Sequence, residues 1–295
     1  MSNWTAEPLA RNVLRITFDD VRSGWDGWVL LRSDAHHDSP ANNEAKERAH
    51  LEAAKERGAP VLDFGDLFDV MGGKFDPRKM ESGVKARHKV DHYFDAVLDD
   101  AAEFYSPYAD HIALLGAGNH ETSVLKHHQM NLTHSLSRSL KRAATREDIA
   151  QVGGYGGYVF LQFAIQSTVK YTVKVKYHHG HGGSSPVTKG VIGAQRRAVM
   201  YPDADIVVTG HIHNGWVTAH PREHVNKLGV ISSMPQIHIS LPGYKDDWAD
   251  GSAGWAVEKG FGPNMTGACW LHLEYQHYQD GVPPIAVTPI PLGWT

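Results

Sequence analysis

The chain has 295 residues, enough to bury a substantial core as one large domain or two small ones, and its 41% hydrophobic and 21% charged residues are ordinary for a soluble globular protein. The formal net charge of −4 gives no global attraction to nucleic acid or anionic membrane, and no apolar run approaches the roughly 18–20 residues of a membrane span. The opening MSNWTAEPLARNVLR carries no apolar signal core, and the single Cys269 excludes an internal disulfide and a cysteine-based zinc site, so a reducing, cytoplasmic setting is expected.

Residues 1–20 suggest one edge strand over Asn12–Phe18. Trp28–Arg32 reads as a buried strand that runs directly into Ser33-Asp34-Ala35-His36-His37-Asp38. Asn42–Arg57, rich in Glu, Lys, Arg and Ala and closed by Gly58, predicts a helix. The apolar run Val61, Leu62, Phe64 then predicts a strand that turns at Gly65 and delivers Asp66. Strand, helix and strand in this order predict a βαβ unit with a parallel sheet. A carboxylate at the carboxyl end of such a strand stands where open α/β sheets place their ligands.

Residues 70–109 read as helical and polar, His111–Leu115 as a third strand ending in Gly116-Ala117-Gly118-Asn119-His120-Glu121, and the stretch to about Arg146 as helical. Gly153–Tyr158 reads as a glycine-rich turn. Val159–Ile165 and Val169–Tyr177 alternate like antiparallel strands, the second ending in His178-His179-Gly180-His181. A helix over Lys189–Met200 leads to the strand Asp205–Val208, which ends in Thr209-Gly210-His211-Ile212-His213. Further strands are expected within Trp216–His220, Leu228–Ser232, Gln236–Leu241, Cys269–Tyr275 and Pro284–Pro291, with 242–264 a long surface loop. No linker or repeat divides the chain, so one domain over 1–295 is expected: a motif core at 28–214, and residues 215–295 completing the second of two packed sheets.

Five strand-like runs therefore end in side chains able to bind a metal: Asp34/His36, Asp66, Asn119/His120, His179/His181 and His211/His213. Histidine is the compositional outlier, with 20 residues. In extended backbone, residues i and i+2 point to the same side, so Asp34 with His36, and His211 with His213, could each serve one site. A mixed Asp/Asn/His set suits Mn, Fe, Zn, Co or Ni better than an all-oxygen Mg or Ca cage. Seven candidates exceed what one tetrahedral ion uses, whereas two ions roughly 3.5–4 Å apart, bridged by a carboxylate, would use them all.

The order DAH, GDLFD, GNHE, HGH and GHIH over residues 34–213 resembles the calcineurin-like metallophosphoesterase superfamily, with its pattern DxH, GDxxD, GNH[DE], H and GHxH. The resemblance implies an α/β fold, a four-layer αββα sandwich of two mixed sheets flanked by helices. It also implies that Asp34, His36 and His213 hold a first metal and Asn119, His179 and His211 a second, with Asp66 bridging. His178 and His181 flank His179 as alternatives. His120 matches the catalytic histidine, and Asp69 the carboxylate that orients it. The cofactors implied are two divalent transition-metal ions, manganese first, which lower the pKa of a shared water so that hydroxide attacks phosphorus near neutral pH.

Taken singly, these residues fit turn-capping and structural hydrogen bonds; turn chemistry does not demand five such blocks in one chain. Asp69 could cap a helix instead. His37 and Asp38 read as supporting or surface residues, Asp63 as a buried partner or an exposed face, and the basic groups Lys74–Lys89 and Arg138–Arg146 as solvated helix faces. The expected partner is a phosphate ester, a nucleotide or small phosphodiester, with nucleic acid as the alternative offered by the superfamily's nucleases. Protein serine/threonine phosphatases carry an arginine after each of two blocks, where this chain has Val70 and Thr122. A non-catalytic scaffold of the same fold would be expected to have lost ligands, and all seven candidates are present.

Overall fold

A computed structural model describes the chain except residues 1–3, 73–82, 167–168, 184–187, 189, 226–228, 249–250, 253–256, 258–259, 261, 277–281 and 295. Lys74, Arg78 and Lys79 of the first basic group, and parts of the 242–264 stretch, lie outside the described residues.

The N-terminal region holds two strands where one was expected: β1 (Trp4–Ala10) and β2 (Val13–Val21) pair antiparallel. WTAEPLA buries only Trp4 and Ala6, too weak an alternation to read as a strand, and it takes the sheet edge while β2 lies inside. β3 (Asp26–Arg32), α1 (Glu44–Glu56) and β4 (Val61–Asp63) form the expected βαβ unit, β3 and β4 pairing in parallel. α1 starts where the Asn43 side chain accepts the Lys46 amide at 3.0 Å, a cap that satisfies one of the helix's free donors.

α2 (Tyr93–Tyr105) leads through a 3-10 turn to β5 (Ile112–Leu115). The helical stretch beyond is two helices, α3 (Asn119–His128) and α4 (Leu132–Ala143), separated where Gln129 turns left-handed at φ 55° and Asn131 caps His134. β6 (Gln151–Val152) is short, and β7 (Gly156–Ile165) begins inside the expected glycine turn, pairing antiparallel with β8 (Val169–His178). α5 (Val191–Met200) is the crossover to β9 (Ile206–Thr209), parallel to β8. The rest is β10 (Trp216–His220), a ribbon of β11 (Glu223–Val225) and β12 (Ile231–Ser233), β13 (Gln236–Ser240), β14 (Ala268–Tyr275) and β15 (Ile285–Leu292).

These strands build two mixed sheets, ordered β1-β2-β7-β8-β9-β13-β10 and β15-β14-β3-β4-β5-β6. With the helices they make a layered α/β sandwich, the class expected. The C-terminal strands were expected to complete the second sheet; they divide instead, β10 and β13 joining the seven-stranded sheet and β14 and β15 the six-stranded one. Strand pattern alone does not say which edge a late strand will join.

One apolar cluster runs between the sheets, with Phe64 beyond β4 stacked on Tyr177 of β8 at 5.1 Å. Beside it lies a buried cation, Arg32, paired with Glu47 and Asp63 at 2.7 Å each and hydrogen-bonded by Tyr105 Oη at 2.9 Å. Among the described residues no helix is long and apolar enough to cross a membrane. For the site, one consequence matters most. The parallel strands β3, β4 and β5 of one sheet, and β8 and β9 of the other, deliver their carboxyl ends to one place.

Candidate metal centre

Beyond β3 and β4 the two loops bind each other through their backbones: Asp34 N donates to Gly65 O, His36 N to Asp66 O and His37 N to Leu67 O, at 2.8 to 2.9 Å. The side chains are not displayed from extended backbone, as the i, i+2 argument assumed. Asp34 (φ 53°), His36 (φ 46°), Asp66 (φ 50°), His211 (φ 71°) and His213 (φ 49°) are all left-handed. Such conformations cost non-glycine residues on the order of 1–3 kcal/mol each, persist only where the surroundings over-determine them, and cluster at functional sites. Gly118 is required for another reason. A Cβ there would fall 2.1 Å from Asp66 Oδ1, so only glycine lets the loop after β5 approach that carboxylate.

The expected residues come together. Asp34, His36 and His213 form one group whose ligand-type atoms lie within 4.8 Å of one another; Asp66, His179 and His211 form a second; His36, Asp66 and His120 a third. In the first, His213 Nε2 is 3.2 Å from His36 Nε2 and 3.4 Å from Asp34 Oδ1. In the second, His179 Nε2 is 3.0 Å from Asp66 Oδ2, and Asn119 Oδ1 lies 2.7 Å from His211 Nδ1 and 3.3 Å from His179 Nε2. His179 Nε2 is also 3.9 Å from Asp34 Oδ1, which joins the groups. Asp34, His36, Asp66 and His179 are all buried.

Of the three neighbouring histidines, His179 is the one that faces this cluster. Its Nδ1 meets the Phe64 carbonyl at 3.1 Å. A carbonyl only accepts, so Nδ1 carries a proton and Nε2 is the ring atom turned inward, the one left to meet a metal. His178 turns its Nδ1 to the Gly180 amide at 3.1 Å, and His181 is exposed.

The electrostatics favour a cation. Burial pushes the Asp34 carboxyl up, but His179 and His213 hold it at about 2. Against burial, His179 and His120 hold Asp66 well below the usual carboxylate range. Burial would depress His179, yet Asp66 and Asp34 raise it to about 10. Burial, with Asp66 nearby, raises Glu121 to about 7. The cluster is therefore a buried acidic pocket that draws a proton onto His179. The two imidazole Nε2 atoms of His36 and His213, face to face beside Asp34, are a donor arrangement that a divalent transition metal fits. The His/Asp groups suit divalent metal binding.

Asp69 departs from expectation. Its carboxylate Oδ1 meets His36 Nδ1 at 2.9 Å and Lys245 Nζ at 3.0 Å, and stands 3.9 Å from His120 Nδ1. His120 Nδ1 bonds the Asp69 backbone carbonyl instead. The orienting group for His120 is thus main chain, and the Asp69 side chain backs a different histidine.

Several supporting residues escaped sequence reasoning. Glu121 accepts the amides of Asp66 (3.1 Å), Phe68 (3.0 Å) and Gly118 (2.8 Å), tying the β4 and β5 loops together. It lay in the GNHE block, and its burial was the missing fact. Asp38, read as supporting or surface, is supporting: it is buried and accepts the Asp69 and Val70 amides at 2.6 and 2.8 Å. His37 is buried against Glu47, and Asp63 is Arg32's partner, as one reading of each expected. Tyr155 sets its ring against His179 and donates to Gly180 O at 2.7 Å. Lys245 comes from the stretch read as surface loop, and no local signal marked it.

No family model and no curated protein matches the chain. Among solved structures it is similar to a conserved uncharacterized protein, described as a predicted phosphoesterase, from Streptococcus pneumoniae TIGR4 (10% identity, TM-score 0.34, 92% of this chain and 100% of that one). It is similar also to a metallophosphoesterase from Sphaerobacter thermophilus (15%, 0.34, 91% and 89%) and to GAP50, the anchor in the inner membrane complex of Plasmodium (12%, 0.44, 90% and 84%).

Proposed function

We propose that this chain is a metal-dependent phosphoesterase, with phosphodiesters as its foremost substrates. What supports the reading above all is the place of Asp66, which belongs to two of the three donor groups, one with His179 and His211 and one with His36 and His120. Asp34, His36 and His213 would hold one divalent ion and Asn119, His179 and His211 another, with Asp66 shared, manganese being the first candidate metal. When bound, the ions supply Lewis acidity to the phosphoryl oxygens and acidify water near neutral pH.

The chain's own residues do the rest. Phe64 O fixes the tautomer of His179, and the Asp69 carboxylate stands 2.9 Å behind His36 Nδ1, so each ring turns Nε2 inward. His120 keeps its Nδ1 proton on the Asp69 carbonyl and leaves Nε2, 3.9 Å from Asp66 Oδ2, facing the cluster. From there it can stabilise charge on the leaving oxygen or, once protonated, donate to it. A nucleotide or small phosphodiester is the expected substrate, and single-stranded DNA the alternative.

The test is hydrolysis of bis-p-nitrophenyl phosphate against p-nitrophenyl phosphate with Mn added. Faster turnover of the diester is expected. No turnover of either by metal-loaded protein overturns the enzymatic reading, and preferential cleavage of single-stranded DNA replaces the small substrate with a nucleic acid.

A further inference from the structure

We infer that Lys245 is a positioning residue that acts through Asp69 on His36, and that it sets the metal affinity of the Asp34–His36–His213 group without setting that of the Asn119–His179–His211 group. The inference rests on the metal-binding reading above and goes beyond it in assigning unequal support to the two ion sites.

The two groups are backed differently. Behind His179 stands a neutral carbonyl, Phe64 O. Behind His36 stands a buried carboxylate whose single oxygen, Asp69 Oδ1, is shared by His36 Nδ1 at 2.9 Å and Lys245 Nζ at 3.0 Å. The same oxygen is 3.9 Å from His120 Nδ1, so a small rotation of Asp69 would exchange one histidine for the other. Lys245 opposes that exchange by fixing the oxygen at His36, while Asp38 fixes the Asp69 main chain through its amide at 2.6 Å.

Lys245 is also held to the loop it serves. The preceding residue, Tyr244, donates its amide to Asp34 O at 2.9 Å and accepts the Asn43 amide at 2.8 Å, and Lys245 itself bridges Asn42 in antiparallel register. Gly243, at φ 81°, lies so close to Asp34 that a Cβ there would stand 2.7 Å from the Asp34 Cβ. Residues 243–245 therefore touch the first group at both of its ends, at Asp34 through main chain and at His36 through Asp69. No contact of this kind reaches His179 or His211 among the described residues. Partners behind a metal-binding histidine fix its ring and raise its basicity, and their loss costs about 10- to 100-fold in metal affinity.

Charge alone predicts the opposite sign. A cation beside the pocket repels divalent ions, so removing it would tighten both sites by Coulomb's law. Positioning predicts weakening, and at one site only.

The experiment is calorimetric titration of MnCl2 into chelator-stripped protein, wild type beside Lys245→Met, Lys245→Gln, Lys245→Arg and Asp69→Asn, with thermal melting in chelator to establish folding. In Lys245→Met one of two Mn sites is expected to weaken about 10- to 100-fold and the other to stay put. Asp69→Asn should behave alike, Lys245→Gln should decide the matter if Lys245→Met does not fold, and Lys245→Arg should restore most of the affinity. Added to His213→Ala, Lys245→Met should cost nothing more; added to His211→Ala, it should weaken the remaining site. Unchanged affinities, equal weakening of both sites, or tightening of either overturns the inference. A wild type that takes no Mn overturns the metal-binding reading itself, a result separable from any behaviour of the variants.

Discussion

Asp66 Oδ2 meets His179 Nε2 at 3.0 Å across the gap between the two sheets, Asp66 lying just beyond β4 of one and His179 just beyond β8 of the other. The pair is one of several polar links between the sheets' converging strand ends, beside Asn119 with His211 at 2.7 Å and the His211 amide with Asp34 at 2.9 Å, and it exists only when the whole sandwich has formed. Asp66→Asn keeps the shape and removes the shared charge. We expect it to lose bound metal and to lower kcat by more than the about 10²–10⁴-fold that removal of a general acid–base group costs. Metal analysis alongside steady-state kinetics on bis-p-nitrophenyl phosphate checks both parts.

His120 stands at the rim, 13% exposed in its side chain, with its Nδ1 committed to the Asp69 carbonyl. His120→Gln is expected to lower kcat about 10²–10⁴-fold while metal stoichiometry holds. The loss should be smaller for a diester with a nitrophenolate leaving group than for one with an alkoxide, since the better leaving group needs less protonation. Equal losses on the two substrates would remove the proton-transfer role.

Gly118→Ala places a methyl group against the Asp66 carboxylate, 2.1 Å from Oδ1 before any relaxation. Overpacking of this kind costs about 1–3 kcal/mol, and here it displaces the shared carboxylate as well. A lowered urea midpoint together with reduced metal content is the expected outcome. Wild-type metal content would mean that Asp66 has room to move.

Arg32 is buried between Glu47 and Asp63, and Arg32→Met would leave both carboxylates without their cation. Removing one partner of a buried ion pair costs about 3–5 kcal/mol. Urea denaturation at pH 7 reads this directly, and Glu47→Gln in the same background should recover part of the loss.

Two buried histidines, His238 and His50, should each cost the fold stability in mild acid. Burial, with His220 and Arg197 nearby, depresses His238 to about 4, and burial with Lys46 and Arg32 depresses His50 to about 4. An unfolded histidine titrates near 6.5, so between about pH 6.5 and 4 the unfolded chain binds protons the fold refuses. These two groups thus contribute stability that is present above pH 6.5 and lost on acidification. The urea midpoint of His238→Gln should decline less than wild type between pH 7 and 5; parallel declines would sink the assignment.

The strand-end donors were legible because each block joins a buried apolar run to a turn and a ligand-type side chain, information held within about ten residues. Asp34, His36, Asp66, Asn119, His179, His211 and His213 all gather, as do β3, α1 and β4 in their predicted order. The direction of Asp69 was not legible. It depends on a rotamer and on Lys245, which arrives 176 residues later in sequence. The left-handed backbone at Asp34 and His36 was equally hidden, since non-glycine residues take it only under tertiary constraint. β1 failed for want of alternation, and the sheet choice of β14 is a matter of long-range register, pairing Leu31 with Cys269.

Asp66 and its neighbours are expected above all to gather divalent metal. The most direct test is elemental analysis of the purified chain after incubation with Mn or Zn and removal of free ions. Two transition-metal ions per chain are expected, falling in Asp66→Asn. A chain that keeps no transition metal under these conditions contradicts the account.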